Sequence, residues 1–418
     1  MPFNQLREEL KLLSYPDNHC FDPETLEPQG KTIHRLEILK NNAPELFAGG
    51  QSLLEIGSNK GYFCIKLADK YEKVTGFDKA KEYIDFSIKL AAAHNIKNID
   101  FWHGEFRDVP FQHKYDVVYI GNCHHYFFFD CAKSYAPPLL FLKKLAGICD
   151  KYLIIDGPFE ISDPAVTKLS REGSWSSYVK SLYTFAQYEE YLKPQFELVR
   201  HCDNGLGRAT AVFKRAKPDM EYIEGANLRR ELIRKGILIE CNPNRGPDSM
   251  FVYENRRYKF DMRMNPDGVF LVLNALGDFF PRFHQIIEYR GSRVGEVAEW
   301  VYGSILEDNP IILHHILHLN MVLGTVGLIE LDFERVDFKS CNNRIYNVDI
   351  DLVRHISEIR YPGRGEKSWQ DLIRDKAGNM GMKSEAIETL ITNLKQKEIF
   401  NQIIKRGDYY VELSQANE

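Results

Sequence analysis

The run Glu55-Ile56-Gly57-Ser58-Asn59-Lys60-Gly61 follows the apolar pair Leu53-Leu54 and precedes an amphipathic stretch. Its residue types suit a ligand turn. Glycines where a strand gives way to a helix let the backbone approach a bound molecule closely. A dinucleotide fingerprint needs three glycines in the order G-x-G-x-x-G, whereas only Gly57 and Gly61, with Asn59 between them, stand here. The carboxylate of Glu55 repels phosphate and attracts a cation, such as the amino group of S-adenosylmethionine (SAM). The turn chemistry therefore favours SAM over a nicotinamide dinucleotide. Asp78 ends the next apolar run, VTGFD, where a carboxylate can accept both ribose hydroxyls of an adenosine. Glu105, after IDFWHG, is placed to face an adenine amino group, and Asn122 ends the run DVVYIGN.

Immediately beyond lie His124 and His125. Histidine titrates near neutrality and can serve as a general base, so one of this pair is a candidate for deprotonating an acceptor. The aromatic run Tyr126-Phe127-Phe128-Phe129, with Trp175 and Tyr178, is a candidate pocket wall; the bland alternative is plain core.

These residues need a scaffold that gathers them. In an open α/β sheet, ligands bind beyond the carboxyl ends of the strands. The runs SLLEIG, VTGFD, IDFWHG, DVVYIGN and KYLIIDG alternate with helical patterns such as FCIKLADKY and EYIDFSIKLAAAHN. That alternation predicts a parallel sheet covered on both faces. Two late strands, FELVRHC and ATAVFKR, are expected to close it with an antiparallel edge, after a single helix over SYVKSLYTFAQYEEYLKP. The expected fold is α/β, a Rossmann-like, seven-stranded, mostly parallel sheet, followed by a smaller α+β domain. The expected divisions are a helical lead-in over 1–50, the sheet domain over 51–216, a linker over 217–249, and the α+β domain over 250–418. The last is expected to end in an amphipathic helix, with Ser384 as its cap and Ile387, Leu390, Ile391, Leu394 and Phe400 on its apolar face.

In order and spacing, the motifs from Glu55 to Asn122 resemble those of the class I SAM-dependent methyltransferases, over roughly residues 30 to 215. The resemblance implies that Glu55, Gly57, Asn59 and Gly61 hold the methionine part of SAM, Asp78 the ribose and Glu105 the adenine. Asn122 would begin the substrate pocket. It implies no metal in this domain. The Asn122-Cys123-His124-His125 sequence departs from the Asn-Pro-Pro-Tyr pattern of enzymes that methylate amino groups of DNA or protein amides. The expected reaction is methylation of oxygen or nitrogen on a small molecule, with a saccharide or glycan terminus among the candidates.

In the second domain, Lys259, Asp332, Asp337 and Asp349 fall in an order that resembles the protein-kinase-like family. There a lysine meets nucleotide phosphates, an aspartate serves as base, and carboxylates hold Mg²⁺. The resemblance implies ATP and Mg²⁺ as ligands. No glycine-rich loop precedes Lys259, Glu330-Leu331 replaces the catalytic-loop His-Arg, Asp337 replaces its Asn, and Asp351 replaces the glycine after the metal aspartate. A methyltransferase followed by a kinase-like domain is similar to the bifunctional enzymes that terminate bacterial O-antigen chains.

The chain has 418 residues, 44% hydrophobic and 27% charged, which is ordinary for a globular protein of two or three domains. A net charge of −5 and the lack of a basic tail argue against RNA, the alternative substrate. Eight scattered cysteines, with no CxxC pair, argue against zinc and disulfides and for a reducing, cytoplasmic setting. No apolar run approaches the ~20 residues needed to cross a bilayer.

Overall fold

The structure, a computed structural model, describes residues 2–13, 20–133, 136–172, 177–205, 208–241, 249–260, 265–277, 279–302, 304–305, 322–330, 338–341, 344–347 and 353–355, with positions 315, 318–319, 374, 378, 383–385 and 387–388. The chain divides into two compact units, Met1–Lys133 with Pro137–Pro218, and Ser134–Ala136 with Asp219–Glu418.

The first unit is built on a seven-stranded sheet. Its strands are β1 (Gly50–Ile56), β2 (Tyr71–Asp78), β3 (Ile99–His103), β4 (Tyr115–Gly121), β5 (Cys149–Pro158), β6 (Phe196–Gly205) and β7 (Arg208–Arg215), in the order β3-β2-β1-β4-β5-β7-β6. β1 to β5 pair in parallel, and β7 runs antiparallel to both of its neighbours. The α/β, mostly parallel sheet is as expected. The antiparallel edge differs in detail, because only β7 is reversed, and it sits inside β6. β7 runs back along β6 and takes the place beside β5, so it pairs antiparallel on both sides. The central strands are apolar along their length: Val117, Val118, Tyr119 and Ile120 of β4 are all buried. That is what a strand with helices on both faces requires.

Helices α1 (Phe3–Leu12) and α2 (Lys31–Asn42) form the lead-in. α3 (Tyr62–Leu67) and α4 (Lys81–Ala93) follow β1 and β2. Between β4 and β5 lie α5 (His124–Lys133) and α6 (Leu140–Ile148), and α7 (Pro164–Glu172) follows β5. The single helix expected before β6 is two, α8 (Ser177–Ser181) and α9 (Phe185–Leu192). The break falls at Thr184, whose extended backbone and side-chain bond to the Gln187 amide cap α9.

The second unit holds a six-stranded sheet. It uses β8 (Glu221–Glu224), β9 (Ile237–Cys241), β10 (Ser249–Tyr253), β11 (Arg256–Phe260), β12 (Phe283–Tyr289) and β13 (Ser292–Glu299) in the order β8-β12-β13-β11-β10-β9. Helix α10 (Gly225–Lys235) joins β8 to β9, and α11 (Asp267–Ala275) joins β11 to β12. The segment expected as a linker therefore contributes both edge strands of this sheet. Its Lys217-to-Lys235 stretch is rich in charge because an edge strand and a surface helix present most of their side chains to water. Of the expected C-terminal helix, Ser384 and Ile387 are among the described residues; Leu390, Ile391, Leu394 and Phe400 lie outside them. No described helix is long and apolar enough to cross a membrane.

Candidate active site

Strand register gathers the motif residues. Glu55 lies opposite Gly76 of β2 and Tyr119 of β4, Asp78 opposite His103, and Gly121 opposite Asp156. Glu55, Asp78, Glu105 and Asn122 thus share the carboxyl edge of four adjacent strands, β3-β2-β1-β4.

The turn after β1 is held from several sides. The Gly57 and Ser58 amides donate to the Phe77 carbonyl at 2.8 and 3.0 Å. The amide of Asn59 donates to Asp78 Oδ2 at 2.7 Å, and that of Ala80 to Oδ1 at 2.9 Å. Gly57 and Gly61 have φ of 77° and 71°, and Asn59 has 50°, all in the left-handed region. The glycines also answer to neighbours. A Cβ on Gly57 would lie 2.8 Å from Cys123 Sγ, and one on Gly61 2.7 Å from Ser87 Oγ. The space that these glycines leave is thus taken up by the protein's own side chains.

Glu55 is buried and accepts from Cys64 Sγ at 3.0 Å. Burial pushes its carboxyl up to about 7, aided by the charge of Asp78 and opposed by Cys64 and Arg35. Burial also raises Asp78, against the two backbone amides that it accepts. A carboxylate offers about four lone-pair sites, so Asp78 keeps acceptor capacity for two hydroxyls after binding Asn59 and Ala80. Glu105 is exposed and pairs with Arg107 at 2.8 Å. Its amide accepts no role in the sheet but donates to Asp108 Oδ2 at 2.7 Å, closing a capping box over a short 3₁₀ turn.

Sequence reasoning missed a second set of polar groups. Arg35 of α2 reaches Tyr119 Oη at 3.0 Å and Asp156 Oδ2 at 3.5 Å, and its Nε is buried with no partner. Asp156 accepts from Thr210 Oγ1 at 2.8 Å and Asn204 Nδ2 at 3.3 Å. Beyond β4, Asn122 sits at φ 57°; its amide donates to the Asp156 carbonyl at 2.6 Å, and its Oδ1 accepts from Arg208 at 3.3 Å. Arg208 also pairs with the buried Asp163 at 3.0 Å. Asp156 carried the same signal as Asp78, a carboxylate ending an apolar strand. Arg35 carried none, lying on a helix without a motif.

Both histidines lie in α5 and are buried. The expectation that they titrate near neutrality does not hold. Burial lowers His124 well below its ordinary value, and it lowers His125 to about 4. Each is a neutral imidazole at pH 7. In the aromatic run, Phe128 and Phe129 are core, packed with Tyr183, while Tyr126 and Tyr178 are exposed. Trp175 lies outside the described residues. In the second unit, Lys259 lies on β11 opposite Glu296 of β13. Asp332, Asp337 and Asp349 lie outside the described residues. Among the described residues, no group of three or more His, Cys, Asp or Glu side chains is placed to hold a metal ion.

Residues 48–221 match the model of a methyltransferase domain family. No curated protein matches the chain. Its fold is similar to a SAM-dependent methyltransferase from Aquifex aeolicus, with 17% identity over 50% of this chain and 98% of that one, at a TM-score of 0.32. It is similar to the N-methyltransferase NodS from Bradyrhizobium japonicum WM9 bound to S-adenosyl-L-homocysteine, with 14% identity over 51% of this chain and 98% of that one, at 0.31. The structure of WbdD is 13% identical over 98% of this chain and 95% of that one, at 0.34. At such scores these likenesses add nothing to what the chain's own residues say. The matched domain, the sheet and the turn define a SAM-dependent methyltransferase. The residue types present suit SAM: the Glu55 carboxylate would meet its ammonium, the glycine turn its methionine chain and the Asp78 carboxylate its ribose.

Proposed function

We propose that the enzyme methylates oxygen or nitrogen on a small, hydroxyl-rich molecule, a saccharide or glycan terminus being the class best suited. The carrying observation is the polar group beyond β4 and β5. Asn122, Arg208 and Asp163 form a hydrogen-bonded line at that edge, with Arg208 40% exposed. Alternating donors and acceptors of this kind suit hydroxyls better than an apolar ring system. One of His124 and His125 would take the acceptor's proton. SAM, when bound, supplies an already activated methyl group, so the protein's task is to place the acceptor in line with it. The test is mass spectrometry of cell extract incubated with the protein and isotopically labelled SAM. Label on a sugar hydroxyl or amine is expected; label on carbon, sulfur or RNA would overturn the reading.

A second reading adds phosphoryl transfer by the second unit. It is favoured by the place of Lys259 on the third of three consecutive antiparallel strands, β9-β10-β11, with helix α11 and strands β12 and β13 after it. Protein kinases carry their phosphate-binding lysine on the third strand, before a helix. Mg²⁺-dependent ATP binding that is lost in Lys259→Met and in Asp349→Ala is expected. The absence of ATP binding by the whole chain would leave the unit a scaffold.

A further inference from the structure

SAM carries an ammonium and a carboxylate on one carbon, so the groups that meet them must be neighbours. The turn and the strand ends offer Glu55 for the ammonium. A cation for the carboxylate comes from outside the sheet, on α2. Arg35 Nη2 lies 3.0 Å from Tyr119 Oη and 3.5 Å from Asp156 Oδ2. Tyr119 stands opposite Glu55 in the parallel pair of β4 and β1, so both side chains leave the sheet on one face. Burial raises the Glu55 carboxyl, and the charge of Arg35 works against that rise. Gly121, two residues further along β4, makes the room: a Cβ there would collide with Arg35 Nη2 and lie 2.7 Å from Tyr119 Oη.

The guanidinium is under-used where it stands. It has five N–H donors in a fixed fork and always carries its charge. Among the described residues, Nη2 alone makes a hydrogen bond, and Nε is buried with no partner. Its ion pair with Asp156 is 3.5 Å long, and Asp156 already accepts from Thr210 and Asn204. A buried donor left unpaired costs free energy, and such groups are uncommon in native proteins. The side chain is 20% exposed, so it is not sealed from a ligand. Other cations near this edge are engaged elsewhere. Arg208 is held by Asp163 and Asn122, Lys79 Nζ lies over the Tyr126 ring at 5.1 Å, and Lys60 Nζ over the Tyr83 ring at 5.9 Å. The far end of α2 is pinned by Asn42 to Asn204 at 2.7 Å, with Glu45 beyond it paired to Arg200 at 2.9 Å. A fixed helix thus delivers Arg35 to the strand ends.

We propose that Arg35 is a specificity-determining residue of the cofactor site: its guanidinium fork receives the carboxylate of SAM while Glu55 receives the ammonium. Together they read the zwitterion at the end of the methionine chain. An arginine–carboxylate contact supplies charge-assisted bonds of fixed geometry. The site therefore selects a methyl donor with an intact carboxylate over one that lacks it. The assignment rests on SAM binding by the first unit and is independent of the acceptor.

Calorimetric titration of the full chain with SAM and with decarboxylated SAM tests it. The second ligand keeps the ammonium, the sulfonium and the adenosine and lacks only the carboxylate. The wild type should bind SAM about 10- to 100-fold more tightly, the worth of hydrogen bonds between charged groups. Arg35→Met should lose that factor for SAM and bind decarboxylated SAM as the wild type does. Arg35→Lys should recover part of it, as a point charge without the fork. Equal affinity of the wild type for the two ligands overturns the assignment, whether or not any variant folds. So does an Arg35→Met protein that binds both ligands more weakly by the same factor, since that marks a residue that only docks α2. A wild type that binds neither ligand overturns SAM binding itself, and the role of Arg35 with it.

Discussion

The backbone amide of Asn59 donates to the carboxylate of Asp78 across 2.7 Å, so the ligand turn after β1 hangs from the end of β2. One side chain shapes the turn and keeps acceptor capacity at the carboxyl edge of the sheet, where the proposed role is to meet the ribose. Asp78→Ala should therefore weaken SAM binding twice over, by removing the ribose acceptor and by releasing the turn. Hydrogen bonds to a charged group are worth about 1.5–3 kcal/mol each. Two lost ribose bonds correspond to at least about a hundredfold in affinity. Calorimetric titration with SAM measures this directly, and wild-type affinity in Asp78→Ala would remove Asp78 from the site.

Glu55 links SAM binding to pH. Its carboxyl, raised by burial to about 7, keeps a proton in the folded protein that an unfolded chain has already lost. Its contribution to the stability of the ligand-free protein is thus full below the ordinary carboxylate range and is lost as pH rises toward about 7. An ammonium placed beside it favours the ionised form. SAM binding below pH 7 should then release a proton, and affinity should rise with pH up to that value. Titrations in two buffers of different ionisation enthalpy would reveal the proton, and Glu55→Gln should abolish its release. Equal heats in both buffers for the wild type would show that Glu55 is already ionised without the ligand.

Gly57 faces two separate constraints. An L-residue at its φ of 77° costs about 1–2 kcal/mol. Its added Cβ would also press on Cys123 Sγ at 2.8 Å. Gly57→Ala should lower stability by more than the backbone cost alone. Adding Cys123→Ala should recover the contact part and leave the backbone part, a coupling that a double-mutant cycle in urea resolves. Strict additivity would show that the sulfur moves aside freely.

The strand ends proposed to hold the cofactor were legible because each element announced itself twice, by an apolar strand and by the polar residue that ends it. Glu55, Asp78 and Asn122 all follow that pattern. The acceptor half was not. Tyr183 and Tyr188 sit on either side of a helix start that a continuous amphipathic pattern concealed, and their hydroxyls matter only because folding brings them to Pro158 and His124. Arg35 reaches the strand ends from a lead-in helix that has no spacing relation to the sheet. The histidines were found by type but misjudged in state, since burial is set by long-range packing, as of Phe159 and Tyr188 of α9 against the His124 ring. In the second unit, β8 was read as linker because its EYIE sequence is half acidic, and β9, ILIEC, was passed over because the turn-rich CNPNRGPDS follows it directly.

Arg257 of β11 and Glu296 of β13 form an ion pair at 2.5 Å, with side chains 4% and 6% exposed. They stand diagonally on one sheet face, since Arg257 is opposite Ala298 and Lys259 opposite Glu296. Two desolvated charges at that distance depend on each other. Removing one leaves the other buried without compensation, at a cost of about 3–5 kcal/mol, whereas replacing both by apolar residues of similar volume is often neutral or stabilising by about 1–4 kcal/mol. Glu296→Gln should therefore lower the unfolding midpoint of the second unit sharply, and Arg257→Met with Glu296→Leu should restore it. Among the described residues this six-stranded sheet and the seven-stranded sheet of the first unit are separate, so calorimetric unfolding should show the loss in one transition and SAM binding should persist. If Glu296→Gln unfolds at the wild-type midpoint, the pair is hydrated in solution and its charges are independent. If the apolar double variant is as unstable as the single one, the cost lies in packing around these positions and not in the lost partner charge.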